Sequence, residues 1–408
     1  MSIAMPSVQV LVRFDAGAEN AGFQLGSGGL GSIQLGEPDT DSDFVDVSSD
    51  VRSVSVDRGR SRELQQFQAG RASIVLDNSS RTYDPLNAAG TYYGKILPGR
   101  QVRIRFTHPT TSTVYNVFYG NAMDWGVGYV QMMASTVTLR CMVRLADLSR
   151  ADITKTTSAG ASSIAANEIL DAAGVAARTV ATGSGTMQST AFTGTGLGAM
   201  QLLEASEQGV VYANKTNEIA FKGRHSTYTD AASRDSQATF GPAALPVADV
   251  SLDFDAGLIR NEISLTRAGG SAQTASDATA VTAYGKRGFK QGNLMVSTDG
   301  EVEDLAEMIL ALYKDPVVRV RRITTWPRSY AALMTQALDR SLRDRITVQY
   351  SPPGGGSAIT QDAYIAGIHH KLTPQDMRTT FDLESVTGFD NAFVLGGTEG
   401  LGTVRVWA

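Results

Sequence analysis

Apolar and polar residues alternate with a period of two over much of the first third of the chain. Between Gln101 and Phe106, the apolar Val102, Ile104 and Phe106 are separated by Arg103 and Arg105, so an extended backbone puts hydrocarbon on one face and guanidinium groups on the other. Val137 to Leu145 repeats the pattern, with Val137, Leu139, Cys141 and Val143 opposed to Arg140 and Arg144. Ala72, Ile74 and Leu76 alternate likewise, and the run stops at Asp77-Asn78-Ser79-Ser80 and then Asp84-Pro85. Asn and Asp bond their own backbone in turns, and proline fixes φ. Residues 1–149 are therefore expected to form a first antiparallel β domain.

The period then lengthens to that of helices. Ser162-Ser163 can cap a helix carrying Ile164, Ile169 and Leu170 and ending at Gly174. A second helix, Leu197 to Gln208, stops at Gly209 and runs into two short strands around Lys215-Thr216-Asn217, a hairpin pattern. Residues 150–228 are expected to be a small α/β insert. The stretch 226–245 is polar and dotted with Ala and Pro, as in a linker, and Gly269 to Ala278 has the composition of a loop. The clearest helix begins at Glu301: Val302, Leu305, Ala306, Ile309, Leu312 and Tyr313 fall at steps of three and four, and Pro316 forbids continuation. Strand patterns at Val250 to Phe254, Glu262 to Thr266, Val317 to Thr325, Arg345 to Tyr350, Tyr364 to His370 and Thr379 to Val386 predict a second β domain, 229–387, with a helical insert around 300–343. Residues 388–408 lack periodicity and are expected to be an extended arm that lays Phe393 and Trp407 on another surface. The fold class expected is mainly β with α+β inserts: two antiparallel β domains plus smaller helix-containing ones.

Composition narrows the function classes. With 408 residues, 42% of them apolar, the chain can bury more than one core, and 41 glycines indicate many turns. A net charge of -5 argues against a protein that coats phosphate backbones. Cys141 is the single cysteine, which excludes an intrachain disulfide and a cysteine zinc site. Neither a secretory signal nor an apolar run near the roughly 18 residues of a membrane span is recognisable, so no membrane anchor is expected.

Candidate chemistry is sparse. Gly26 to Gly31 matches a dinucleotide-binding string by letter, but Ser-Ile-Gln-Leu-Gly-Glu-Pro follows where that site needs a helix. Asp39, Asp41, Asp43 and Asp50 have the spacing of calcium ligands, yet Phe44 stands where the sharp turn needs glycine. His369 and His370, as neighbours in a strand, face opposite ways and cannot chelate one ion together. No catalytic, cofactor or metal residue is therefore assigned. The densest charge is Ser55 to Gly70, with Arg58, Arg60, Arg62 and Glu63 around Gly59. An unbroken strand would put all three arginines on the face of Val54 and Val56, which burial forbids unless Gly59 breaks the register. Three readings remain: an exposed turn with Arg62 and Glu63 paired locally, an intersubunit contact in which guanidinium groups meet carboxylates, and, less well matched because Asp57 and Glu63 dilute the charge, a DNA grip.

The same stretch carries a resemblance. A strand, then Arg58 to Leu64, then Phe67 and Ala69-Gly70, a strand ending Leu76-Asp77-Asn78, a Tyr83-Asp84-Pro85 turn and Leu97 to Arg100 follow in the order seen in minor tail, or tail-tip hub, proteins of long non-contractile-tailed phages. The segments 198–224, 300–316, 343–355 and 363–384 resemble the family's helix and hairpin, late helix and last strands, so the likeness covers about 45–390. Arg343 departs from it, standing where such proteins often have glycine, which leaves the local turn open. The resemblance implies an architecture similar to the baseplate hub of contractile tails: two tube-type β domains per chain, assembled as a homotrimer that joins a sixfold tail tube to threefold tip components and allows DNA passage. It implies a virion protein of the tail tip, assembled in the host cytoplasm, without enzymatic activity. The partners it implies are a distal tail protein ring, the tape measure protein, and other tip proteins or a central fibre. Arg58, Arg60, Arg62, Glu63, Phe67, Asn78, Asp84, Pro85 and Arg100 are the interface or structural residues within it, and Phe393 and Trp407 join them from the reading of the arm. The alternatives are a peripheral minor tail protein, or a tail protein that binds or hydrolyses cell-wall carbohydrate.

Overall fold

The computed structural model describes residues 3–15, 43–130 and 134–386. The first region is built of β1 (Ser7–Val12), β2 (Val45–Asp46), β3 (Val51–Gly59), β4 (Gln68–Asp77), β5 (Gln101–Thr107), β6 (Val114–Val130) and β7 (Ala134–Met142). Burial follows the period of two: Val54 and Val56 of β3, Ala72, Ile74 and Leu76 of β4, and Val137, Leu139 and Cys141 of β7 all point into one core. Strand β6 carries no strict alternation; its 17 residues are held along their length by β5 and then β7.

The middle region holds α1 (Leu145–Leu148), β8 (Asp152–Thr156), β9 (Gly160–Ala161), α2 (Ser162–Ala172), β10 (Arg178–Val180), β11 (Thr186–Met187), β12 (Ala191–Thr195), α3 (Gly196–Glu207) and the hairpin β13 (Val210–Ala213) and β14 (Ile219–Lys222). Helix α2 is entered through Ala161, and Ser162 lies buried in its first turn without capping it. Helix α3 ends on Gln208 at φ +52, one residue before the glycine that the sequence offered for that role.

The third region departs most from the sequence pattern. The supposed linker 226–245 contains α4 (Ser226–Thr229), α5 (Ala231–Arg234) and β15 (Ser236–Phe240); Asp230 caps α5 by accepting from the Ala232 amide. Strand β16 (Asp249–Asp253) precedes β17 (Glu262–Arg267), and the expected loop after it is β18 (Ala272–Ser276), whose small side chains give no hydrophobic signal but whose backbone pairs with β17. Then come α6 (Ala278–Tyr284), β19 (Gly288–Leu294), α7 (Asp299–Tyr313), β20 (Arg319–Thr325), α8 (Ala331–Asp339), β21 (Arg345–Tyr350), β22 (Ile359–Leu372) and β23 (Met377–Ser385). Thr298 caps α7 by accepting from the Glu301 amide, and Val302, Leu305, Ala306 and Ile309 form its buried stripe.

One sheet unites the first and third regions. Its order is β16-β20-β23-β22-β3-β4-β7-β6-β5-β1-β2, with β21 and β15 branching from β22. All the neighbours are antiparallel except β15 and β21, which run parallel. The seam is the ladder from Gly59↔Gly367 to Val54↔Leu372. Two hydrophobic clusters lie against it. One joins the first region to the middle helices and α7, and the other gathers Phe240, Val320, Ile346, Ile365 and Phe381 of the third region. The fold is mainly β with α+β parts, as its sequence pattern predicted.

Candidate functional site

The charged stretch begins inside the sheet. The alternation of β3 continues through Val54 and Val56 to Arg58, which is 5% exposed. Gly59 then takes φ +98 and the ladder slips between Asp57 and Gly59. A Cβ there would stand 2.1 Å from the carbonyl oxygen of Ala366, so only glycine lets the two regions approach this closely. The break of register falls at Gly59, where the sequence placed it, and Arg58 just before it stays buried on the face of Val54 and Val56.

Beyond the break the chain turns into the junction between regions. Arg60 donates through Nε to Glu384 Oε2 at 3.1 Å and through Nη1 to the carbonyl of Gln65 at 2.6 Å, while its guanidinium lies 4.6 Å from the centre of the Phe67 ring. Glu384 also pairs with Arg343, whose guanidinium stacks on Tyr364 at 4.5 Å. Glu63 accepts from Tyr313 Oη at 3.1 Å and faces Arg319 Nε at 3.2 Å. Arg62 stays at the surface, 3.6 Å from Asp255. The local Arg62–Glu63 pair does not form, because Glu63 finds a counter-charge in the interior while its neighbour points to solvent. Phe67 leaves its own region and packs in the third region's core beside Tyr212, 5.6 Å between ring centres.

Burial sets the electrostatics. It raises the Glu63 carboxyl and holds the Arg60 guanidinium down; it brings Arg343 down to about 10 and pushes Glu204 of α3 up to about 7 despite the pull of Arg60. A cavity of about 230 Å³ opens among Arg60, Glu63, Glu204, Tyr313 and Glu384. Arg343 reaches the cluster at φ +74, in the left-handed region that favours glycine, which resolves the turn left open by the sequence.

The remaining marked residues organise the turn after β4. Asn78 is fully buried, donates to Ser135 Oγ at 3.1 Å and accepts from the Tyr83 amide at 2.8 Å. Asp84 accepts from the Leu86 amide at 2.9 Å and from Tyr129 Oη at 2.6 Å, which ties the turn to the end of β6. Pro85 is exposed, and Arg100 is buried and donates to the carbonyl of Lys95 at 2.9 Å. Asp50 accepts from Tyr83 Oη at 2.6 Å and Asp43 pairs with Arg13 at 2.9 Å. Asp39, Asp41, the string 26–31, the arm 388–408, Phe393 and Trp407 lie outside the described residues.

The open face of the sheet is polar across the seam. Arg322 of β20 donates to Asp382 of β23 at 2.6 Å; His369 of β22 bridges Asp382 at 2.8 Å and Asp57 of β3 at 2.7 Å. Farther along, Arg140 pairs with Asp124 and Arg52 with Asp77, among the half-exposed Ser53, Ser55, Ser73, Thr136 and Thr138. Arg71, Lys371 and Arg378 are exposed on the same face. His370 points the other way, buried, with Thr379 Oγ1 at 3.0 Å; burial pushes it down to about 3. Among the described residues no group of three His, Cys, Asp or Glu side chains is placed to hold a metal ion. Arg319, Arg343, Glu384 and Tyr313 were missed from the sequence; only the non-glycine at 343 was a signal, since their convergence depends on which strands pair.

No protein-family model and no curated protein matches the sequence. Solved structures do. A 43 kDa tail protein of prophage MuSo2 from Shewanella oneidensis has a TM-score of 0.56 at 12% identity, covering 94% of this chain and 98% of that one. A tail protein from Neisseria meningitidis has a TM-score of 0.59 at 11% identity, covering 92% and 96%. A prophage tail protein, gp18, from Listeria monocytogenes has a TM-score of 0.50 at 12% identity, covering 86% and 94%. At such identities the likeness is one of fold: the chain has the fold of phage tail proteins.

Proposed function

We propose that this chain is a structural protein of a phage tail and acts as the central hub of the tail tip, three copies joining the sixfold tube to threefold tip parts around a passage for DNA. The observation that carries this reading is the seam between β3 and β22, through which one chain places two β regions side by side in a single wall. Three such chains supply six β regions, the number a sixfold tube presents, and still close with threefold symmetry. The neighbours in this reading are a distal tail protein ring, the end of the tape measure protein, and other tip proteins or a central fibre.

The open face suits the wall of a passage. Its serine and threonine hydroxyls keep it wet, and three of its cations, Arg52, Arg140 and Arg322, are each held by an aspartate, which lowers the counterion release that would retain DNA and leaves that role to the exposed Arg71, Lys371 and Arg378. The cluster around Glu384 is interior scaffolding in this reading, and no catalytic step is assigned to it.

Imaging of intact tails with a label on this chain tests the proposal, together with light scattering of the purified protein. Three labels at the tip and a trimer in solution are expected. Six equivalent copies would overturn it in favour of a tube or distal ring protein, and labels off the axis in favour of a peripheral minor tail protein. Clearing of host envelope by the purified chain would favour the carbohydrate-active alternative.

A further inference from the structure

The first arginine of the motif is left out of the cluster around Glu384. Arg58 is 5% exposed, and its buried Nε has no hydrogen-bond acceptor among the described residues. A buried guanidinium without a counter-charge costs several kcal/mol, and polar groups in such positions normally have a partner. Arg58 lines a second cavity, also of about 230 Å³, between β3, the β13–β14 hairpin and the turn from α8 to β21. Tyr212, Lys215 and Lys222 reach it from the hairpin, Ser341 and Asp344 from the turn, and the exposed Thr216 stands at its mouth.

The charges around this cavity do not balance. Lys222 pairs with Asp230, Arg340 pairs with Asp339 and, at 3.2 Å, with Asp344, and Lys215 Nζ donates to the backbone carbonyl of Asp339 at 2.9 Å. Four cations, Arg58, Lys215, Lys222 and Arg340, thus meet three carboxylates, and among the described residues neither Arg58 nor Lys215 forms an ion pair with one: Lys215 has a backbone carbonyl, and the Arg58 Nε has no acceptor. His370 behind it is buried and adds no charge near neutral pH, being pushed down to about 3. Burial brings Arg58 down to about 10, and burial followed by the repulsion of Arg58 lowers Lys215. An anion would relieve both.

We propose that this cavity binds one small oxyanion, of phosphate or carboxylate type, between the guanidinium of Arg58 and the ammonium of Lys215. A guanidinium presents a planar fork of N–H donors that matches two oxygens of such an ion, and charge-assisted bonds of this kind are about twice as strong as neutral ones. Tyr212 and Ser341 line the same space, and their hydroxyls can donate to further oxygens. The volume is several times the roughly 30 Å³ share of one water, so the ion fits with part of its hydration. The inference does not depend on the role of the chain in a tail.

The test uses the full chain, titrated separately with inorganic phosphate and with acetate against chloride at equal ionic strength, by calorimetry and by thermal unfolding. One of the two ions is expected to bind at about one site per chain and to raise the midpoint by roughly 1–3 °C at saturation. Lys215→Gln, whose side chain is half-buried, is expected to weaken binding about fivefold or more while folding normally, and Arg58→Met to abolish it. The ion that binds identifies the class. The proposal is overturned if neither ion exceeds the effect of chloride, or if Lys215→Gln binds as tightly as the parent, an outcome that stands even if Arg58→Met does not fold.

Discussion

His369 Nδ1 lies 2.7 Å from Asp57 Oδ1, and the two residues face each other in the ladder that joins the third region to the first. Burial alone would lower the imidazole, but hydrogen bonds to Asp382 and Asp57 outweigh it and hold the ring up to about 9. A group raised in the folded state stabilises fully below its unfolded value near 6.5 and loses that contribution as pH rises through about 9. With a third of the side chain exposed, about 1–2 kcal/mol remains after solvent screening. Denaturant unfolding at pH 6.5 and pH 9.5 should therefore show a fall of about that size, and His369→Gln should flatten it. An equal fall in the variant would assign the pH dependence to other groups.

Gly59→Ala is expected to be severe. The Cβ would meet Ala366 O at 2.1 Å and Gly367 Cα at 2.7 Å, both backbone, at φ +98. A loss of more than about 3 kcal/mol, or insoluble protein, follows from backbone clash added to strain. Gly94→Ala is the control: it has φ +73 but nothing within 4 Å, and should cost only about 1 kcal/mol.

Glu384 pairs with both Arg60 and Arg343. Glu384→Gln keeps the shape and removes the charge, which should cost about 3–5 kcal/mol because the buried Arg343 and the half-buried Arg60 then lose the carboxylate they share. Equilibrium unfolding measures this directly.

At position 343 the backbone and the side chain can be separated. Arg343→Gly and Arg343→Ala both delete the pair with Glu384, but only alanine keeps a Cβ at φ +74. Glycine should be the milder of the two by about 1 kcal/mol, and equal stabilities would mean that the turn carries no strain.

The open face offers a functional measurement. Asp77→Asn with Asp124→Asn frees Arg52 and Arg140 from their exposed partners. Duplex DNA should then bind more tightly at low salt, by roughly tenfold at 50 mM, with a steeper salt dependence. Fluorescence anisotropy with a labelled duplex reads the change, and an unaltered affinity would argue that those pairs do not shield a DNA-facing wall.

Several elements were legible along the chain because each carries its own periodic signal. Strand β21 matches its sequence bounds, β5 extends one residue past them, and α7 begins two residues earlier because Thr298 caps it. The stretch 226–245 was not legible: β15 is a strand because β21 offers it a parallel partner, and nothing in Ser-Gln-Ala-Thr-Phe announces that. Strand β18 was hidden for the same reason, its small residues being specified by pairing with β17.

What the sequence determined by itself is local: which faces are apolar, where turns stop the strands, that Gly59 interrupts β3, and, through the ordered motif from Arg58 to Arg100, which family the chain resembles. What only the tertiary structure decided is where the motif's charges go. Arg60 meets Glu384 more than 300 positions away, and Glu63 meets Arg319, because β22 lies beside β3 and brings the third region onto the first. Periodicity reports the environment of a residue along one element; the partner of a buried charge is set by which elements pack together, and that information is shared among strands far apart in the chain.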